Sequence, residues 1–321
     1  MRILTNQINC TTEKTSFLAE FSKEVRKNWM LFLMVLPMMV FTFILSYIPI
    51  GGIIIAFKDY SYAGIFNSEW VGLYNFEFFV RSGKMWSLTR NTLLYNIVFI
   101  IIGLITKIGF AIMINEMWTK YYKRTLQSIM MLPHFLSWVV IGGLVYNMLN
   151  YEFGTINNVL EGLGMKRINI YNNTKVWPLI FSFLTVWHGT GYGMIYYLAA
   201  IIGINPELYE AAYLDGAGLM QRIRHITIPL IAPTTIIMLL LSLGGILKGN
   251  MDMFYQVTRD NPFLREATDV IDTFVFRSLT SAGSDLGVTA ATGLYQQVIG
   301  CVLVLSVNAI VRHIDDESSL F

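Results

Sequence analysis

The chain has 321 residues, of which 55% are apolar and only 14% are charged. In soluble globular proteins, charged residues make up about 25%. This composition excludes an ordinary soluble domain and predicts a polytopic α-helical membrane protein. The formal net charge of +2 comes without a dense Lys/Arg block. The sequence therefore predicts no nucleic-acid partner.

The chain is predicted to open with a polar segment, residues 1–28, and to close with a tail over residues 313–321. Between them, residues 29–312 form a single transmembrane domain. Six apolar stretches in it are long enough to cross the roughly 30 Å hydrocarbon core of a bilayer as helices. The predicted spans are Trp29–Tyr47, Asn91–Ile114, Ile129–Met148, Trp177–Ile202, Thr227–Leu247 and Gly293–Val311.

Basic residues set the predicted orientation. Lys23, Arg26 and Lys27 precede the first span, and only Lys58 follows it closely. This asymmetry favours a cytoplasmic N-terminus, and an even number of spans then places the C-terminus on the same side. Over the whole chain the Lys/Arg count is balanced between the two sides, so the prediction depends on the first span.

Two further features concern the first two spans. Pro49 and Gly52, just after span one, predict an outer loop. Lys107 lies inside span two. A charge within a span often marks a functional site, but Lys107 is near the inner end of its helix. We favour the interpretation that its long side chain snorkels to the interface.

A polar segment, Asn205–Pro233, separates spans four and five. Asn205 and Pro206 are typical of a helix start, because Asn caps free amides and Pro is tolerated in the first turn. Asp215 and Gly216 predict a turn, and a second short helix is predicted over Ala217–His225. The segment is thus a helix–turn–helix held between two spans.

This segment resembles the EAA loop of permease subunits of binding-protein-dependent ABC importers. The residues that carry the resemblance are Glu210, Ala211, Ala212, Asp215, Gly216, Ala217, Ile226–Pro229 and Pro233. Other segments, in the same order along the chain, are similar to the oligosaccharide branch of that family: Ala56–Tyr60, Trp70–Phe76, Leu132–Trp138, Gly154–Asn157 and Leu163–Gly164.

The resemblance implies a type I ABC importer permease fold in the bacterial cell membrane. The loop, with Glu210, Ala211, Ala212, Asp215, Gly216 and Ala217, is then expected to dock on an ATPase in the cytoplasm. The implied partners are a second related permease, two ATPase subunits, an extracytoplasmic sugar-binding protein and the lipid bilayer. ATP and Mg²⁺ would be bound by the ATPase, and this chain would hold no cofactor. The alternative is an amphipathic loop with no partner.

Aromatic residues of spans three and four are candidates for the sugar pathway. Trp187, Tyr192, Tyr196 and Trp138 offer flat apolar faces with polar edges, which suit sugar rings. Three glycines alternate between Gly189 and Gly193. Close helix packing explains the same glycines and aromatics equally well.

The sequence favours a transport subunit over an enzyme. It has no phosphate-binding P-loop motif, and its four histidines have no metal-binding spacing. Acidic residues between Gly249 and Ala290 alternate with arginines, so we expect a solvated outer loop rather than a metal site. The alternative function is an ion-gradient-driven secondary transporter, but such proteins carry carboxylates within their spans, and this chain has almost none there.

Overall fold

The computed structural model describes residues 17–61, 64–281 and 285–314. The predicted N-terminal segment and tail are therefore covered only in part, because residues 1–16 and 315–321 lie outside this range. The described chain is almost entirely helical, which confirms the all-α prediction. Its strands, β1 (Lys58–Asp59) and β2 (Glu69–Trp70), form one short antiparallel pair.

The helices follow one another with short connections. In the first half of the chain they are α1 (Phe17–Lys27), α2 (Trp29–Thr42), α3 (Tyr74–Arg81), α4 (Lys84–Asn115), α5 (Lys120–Met131), α6 (Trp138–Leu149) and α7 (Thr155–Gly162). In the second half they are α8 (Trp177–Ile202), α9 (Pro206–Leu214), α10 (Leu219–Arg222), α11 (Ile228–Leu230), α12 (Ala232–Gly244), α13 (Met251–Thr258), α14 (Arg265–Thr268), α15 (Ile271–Thr280) and α16 (Leu286–Ile314).

Three helical stretches in the described chain are long and apolar enough to span a membrane: Trp29–Phe57, Lys84–Asn115 and Leu286–Ala309. Two bent helix pairs raise the number to five. The fourth predicted span, Trp177–Ile202, is the helix α8, but His188 and its many glycine, tyrosine and tryptophan residues make it less apolar than the others. Six spans are therefore not confirmed by length and composition.

The chain divides into two compact units, and the first ends at Ile54. There α2 continues through a π-helical turn, Phe43–Tyr47, into a 3-10 helix, Ile48–Phe57, whose last three residues lie beyond that boundary. The outer loop predicted at Pro49 and Gly52 is therefore wrong, because the helical path continues through both residues. No side chain of α2 is buried, which is typical of a helix whose apolar surface meets lipid.

The second unit is built around the packed pair α4 and α8. Tyr95 meets Phe181 near the beginnings of the two helices, with 5.7 Å between ring centroids. Ile114 and Ile201 share a buried cluster near their ends. The two helices therefore run parallel, so the chain between them must cross back. The bent pair α5 and α6 supplies this return.

The prediction of a solvated loop over Gly249–Ala290 is wrong for most of this segment. Helices α13, α14 and α15 occupy it, and their side chains contribute to two buried apolar clusters. Arg277 pairs with Asp260 at 3.0 Å and with Asp269 at 2.8 Å. Arg265 also pairs with Asp260 at 3.0 Å, so these four charges neutralise one another within the fold. Among the described residues no group of acids, histidines or cysteines could hold a metal ion.

Candidate functional site

A sharp break divides the third predicted span. Helix α5 continues into a 3-10 turn, Leu132–Phe135, and α6 then leaves at 92° to the first half. Pro133 lies in this turn, and the side chain of Ser137 caps α6 by accepting a hydrogen bond from Val140 N at 3.4 Å. The continuous helix predicted over Ile129–Met148 is therefore wrong. Proline lacks the amide that would carry a helix through this point.

The break lies beside the middle of α8. His188 Nε2 is 3.3 Å from the carbonyl oxygen of Leu136 in the non-helical stretch. A Cβ atom added to Gly191 would lie 1.8 Å from Met130 O. In a membrane, non-helical backbone persists only where protein buries it or where it lines a water-filled cavity. The break is therefore expected to be packed against protein, to line a cavity, or both.

Such a cavity, of about 640 Å³, opens beside the break and is lined by α4, α6, α8, α12 and the segment after α12. This volume is within the usual range for small-molecule sites. Many of its walls are aromatic, and the rings that line it are Phe99, His134, Trp138, His188, Tyr192, Tyr196 and Tyr197.

The rings form an ordered set of stacks. His134 lies flat against Tyr192, with centroids 4.4 Å apart and an interplanar angle of 8°. His188 stacks on Trp138 at 4.5 Å. The Tyr196 hydroxyl donates to the Tyr192 hydroxyl at 3.3 Å. Nδ1 of His134 is buried without a hydrogen-bond partner in the described chain. The aromatic faces and the two tyrosine hydroxyls give this wall both apolar and polar character.

Three of the four predicted pathway residues line the cavity, and one does not. Trp138, Tyr192 and Tyr196 line the cavity, whereas Trp187 does not. Trp187 precedes Tyr192 by five positions, which places it about 140° around the helix at 3.6 residues per turn. Its side chain is partly exposed on another face of α8. The sequence does not single out His134 and His188 as site residues, because their spacing signals no metal site. The bend between α5 and α6, which brings the two rings together, has no clear signal in the sequence.

The alternating glycines of α8 have three different environments. A side chain at Gly189 would meet nothing within 4 Å, one at Gly191 would meet the backbone of α5, and one at Gly193 would meet the Lys107 stem at 2.5 Å. Close packing therefore accounts for Gly191. Gly193 instead gives room to a charged side chain that lines the cavity.

Lys107 does not snorkel as expected. Its Nζ lies 3.7 Å from a Cβ placed on Gly103, one turn back along α4. The side chain therefore points away from the nearer, C-terminal end of the helix and into the cavity wall. Side chains of helices lean toward the N-terminus. Gly103 and Gly193 leave the space that allows the Lys107 side chain to take this direction.

The second candidate site is the coupling segment, defined here as residues 205–226, the loop predicted to dock on an ATPase. Asn205 caps α9 by accepting from Glu207 N at 3.1 Å. Gly216 ends the helix with φ at +78°, a conformation that glycine adopts without a steric penalty. The predicted second helix, Ala217–His225, begins two residues later than expected: α10 covers Leu219–Arg222 and continues through a π-helical turn, Ile223–Thr227, into α11.

The coupling segment exposes a mixed surface. Glu210, Ala211, Asp215 and Gly216 are exposed, and Ala212 and Ala217 are half-buried. Leu214 is 86% exposed. Carboxylates beside exposed apolar side chains are typical of a protein-binding surface. Tyr209 holds the segment together, since its hydroxyl lies 2.9 Å from Thr227 Oγ1 at the start of the next span.

Comparison with known families decides what these two sites belong to. The family described as "Binding-protein-dependent transport system inner membrane component" matches residues 99–316. The chain is a member of this family. The match covers the broken span, the cavity helices and the coupling segment. It confirms the resemblance found in the sequence and the prediction of a multi-pass membrane transport subunit rather than an enzyme. It gives no support to a gradient-driven transporter.

Individual relatives agree over nearly the whole permease. Protein LplB of Bacillus subtilis is 32% identical over 91% of both chains. The polygalacturonan/rhamnogalacturonan transport system permease protein YteP of the same species is 31% identical over 92% of this chain and 94% of its own. A solved bacterial ABC transporter involved in import of the acidic polysaccharide alginate has a chain 33% identical, with a TM-score of 0.83 over 92% of this permease and 99% of that chain.

Proposed function

We propose that this permease forms half of the pathway of an ATP-driven importer for oligosaccharides or sugar derivatives. A second, related permease supplies the other half. The observation that carries the proposal is the aromatic cavity beside the break in span three. Support for a carbohydrate cargo comes from YteP, named for polygalacturonan and rhamnogalacturonan, and from the solved alginate importer.

The cavity suits a sugar chemically. Sugar rings have apolar faces that stack on aromatic side chains, and hydroxyls that need polar partners at their edges. Trp138 and Tyr192 provide faces, while the Tyr196 hydroxyl and the His188 ring provide polar atoms. A weakly binding site of this kind orients cargo without holding it, which a transport pathway requires.

The coupling segment is proposed to dock on one of two ATPase subunits, which bind ATP and Mg²⁺. Glu210 is exposed and can form a charge-assisted contact across the joint. The segment continues through the π-helical turn into α11 and α12. A push on α9 can therefore move these helices as rigid bodies, which gives alternating access. In this arrangement both termini and the coupling segment are cytoplasmic.

A second cleft, of about 750 Å³, is proposed to receive the extracytoplasmic sugar-binding protein. It lies among α3, the start of α4, α15 and α16, and charges of both signs line it. Burial lowers the pKa of Arg277, but its hydrogen bonds and ion pairs with Asp269 and Asp260 outweigh this effect, so the pKa is raised overall. These charges therefore hold fixed positions. A solved alginate transporter complex includes a pentasaccharide-bound periplasmic protein, which supports this partner.

Reconstitution tests the proposed function. The permease purified alone is expected to show no ATP hydrolysis, because its sequence has no P-loop. Tagged permease expressed in its own cell is expected to co-purify with a second permease and an ATPase. In proteoliposomes that complex should hydrolyse ATP faster when binding protein and sugar are added. ATP turnover by the single chain, or a complex without an ATPase, would refute the proposal.

A stacking variant tests the cavity. Tyr192→Ala should slow sugar uptake by the assembled complex several-fold, since loss of one stacking face costs about 1 kcal/mol. Trp187→Ala is the matched control on the same helix, because Trp187 lies off the cavity. Uptake of labelled sugar into proteoliposomes is the measurement. Equal effects of the two changes would show that the pathway does not follow this wall.

A further inference from the structure

We propose that the cavity accepts an anionic, carboxylate-bearing oligosaccharide, and that Lys107 binds the carboxylate. This inference deepens the proposed function and depends on it. It concerns the chemical class of the cargo, which the aromatic walls alone do not determine, because neutral and acidic sugars stack equally well.

The first argument is the sign of the charge. The described residues that line the cavity include two lysines, Lys107 and Lys248, but no aspartate or glutamate. The lining also includes uncharged polar groups such as Asn96 and Asn250. A cation in a membrane-embedded wall is costly unless something pairs with it. The cavity therefore has an unmatched positive charge.

The second argument is the placement of Lys107. Its stem crosses the face of Gly193, where a Cβ would lie 2.5 Å from Cε, and its Nζ lies beside Gly103. The ammonium has no hydrogen-bond or ion-pair partner in the part of the chain that the structure describes. An ammonium has three donors to satisfy. Two glycines thus make room for a charged group that no other described residue of the chain neutralises.

The third argument distinguishes the two lysines. Lys248 is near Asp272, whose carboxylate lies behind the cavity wall and accepts hydrogen bonds from Gly249 N and from Gln296 Nε2, the latter at 2.9 Å. Burial holds the pKa of Asp272 above its usual value, and those hydrogen bonds and the nearby charge of Lys248 offset this only in part. Lys248 therefore has an acid nearby. Lys107 does not, so it is the better anion ligand.

The combination of rings and cation selects a class of sugar. Tyr192 and Tyr197 lie in the same wall as Lys107. A uronate residue has a ring for the aromatic faces and a carboxylate for the ammonium, and a charge-assisted hydrogen bond between these groups is about twice as strong as a neutral one. A sugar phosphate offers the same charge, so the test must separate the two anions.

The test uses the assembled complex in proteoliposomes with three probes: trigalacturonate, its neutral methyl ester, and maltotriose with a terminal phosphate. Unmodified complex should take up trigalacturonate. Lys107→Met, which keeps the length of the stem, should reduce that uptake about tenfold and leave uptake of any accepted neutral ester within twofold. Lys107→Arg should restore much of it. Lys175→Met, an exposed position before α8, is the control and should change nothing.

The outcomes separate this inference from the proposed function. A complex that imports no sugar with ATP refutes both. A complex that imports the ester or the phosphate but not the acid overturns the inference alone. Equal loss of acid and ester uptake in Lys107→Met also overturns it, because a packing role would produce that result. Each variant is compared with unmodified complex in the presence of the same binding protein. Any preference of the binding protein for one sugar therefore affects both measurements equally.

Discussion

Gly216→Pro is expected to abolish most sugar uptake while leaving the permease folded in the membrane. Gly216 has φ at +78° and donates its amide hydrogen to Tyr213 O at 3.0 Å. Proline fixes φ near −65° and has no amide hydrogen, so the turn between α9 and α10 must rebuild. Disfavoured backbone costs about 1 to 3 kcal/mol, which corresponds to an uptake roughly five- to 150-fold lower if docking needs this turn.

Two companion variants make that result specific. Gly216→Asn should retain most uptake, because asparagine tolerates positive φ. Gly164→Pro makes the same change at another glycine with positive φ, +73°, after α7, and should leave ATPase stimulation intact. Uptake and sugar-stimulated ATP hydrolysis are both measured. Normal coupling in Gly216→Pro would show that this turn does not transmit the ATPase movement.

Gly191→Ala is expected to destabilise the permease or prevent its assembly. The added methyl would lie 1.8 Å from Met130 O and 2.3 Å from Met130 C, both backbone atoms. Backbone cannot move aside as a side-chain tip can, so α5 and α8 must separate. Overpacking of this kind costs about 1 to 3 kcal/mol. A lower thermal unfolding temperature of the detergent-purified complex is the expected readout.

Gly189→Ala provides the matched control two residues away. A methyl there would contact nothing within 4 Å, and replacing a helical glycine by alanine favours the helix by about 1 kcal/mol. The control should therefore be neutral or slightly stabilising. If both variants melt at the same temperature, the close approach of α8 to the α5 backbone is not required for the packed state.

The sequence predicted the elements that depend on local chemistry. The Asn205 cap, the Gly216 turn and the apolar lengths of α4 and α16 all follow from propensity and hydropathy. The permease family was also evident from the residues around Glu210 and Asp215. These signals involve neighbours in the chain, so no knowledge of the tertiary structure was needed.

Features that depend on distant contacts were not predictable in the same way. The sequence predicts one continuous span across the 92° break at Pro133, because the flanking residues are apolar on both sides. It predicts an interfacial Lys107, because the glycine opposite it, Gly193, lies on another helix. It predicts a solvated loop over Gly249–Ala290, because the ion pairs of Arg277 with Asp260 and Asp269 form only in the folded chain.

The break in span three has a mechanical consequence. Its first half is held to α8 by the contact of Met130 O with Gly191, and its second half is held to α13 by the contact of Gly142 with Gln256 O. If both contacts persist during transport, any bending between the two halves must occur from Pro133 to Ser137. Such bending would also shift the contact of Leu136 O with His188 Nε2 and the stack of His134 on Tyr192. Any rotation there then moves His134 and Trp138 relative to each other and changes the shape of the cavity.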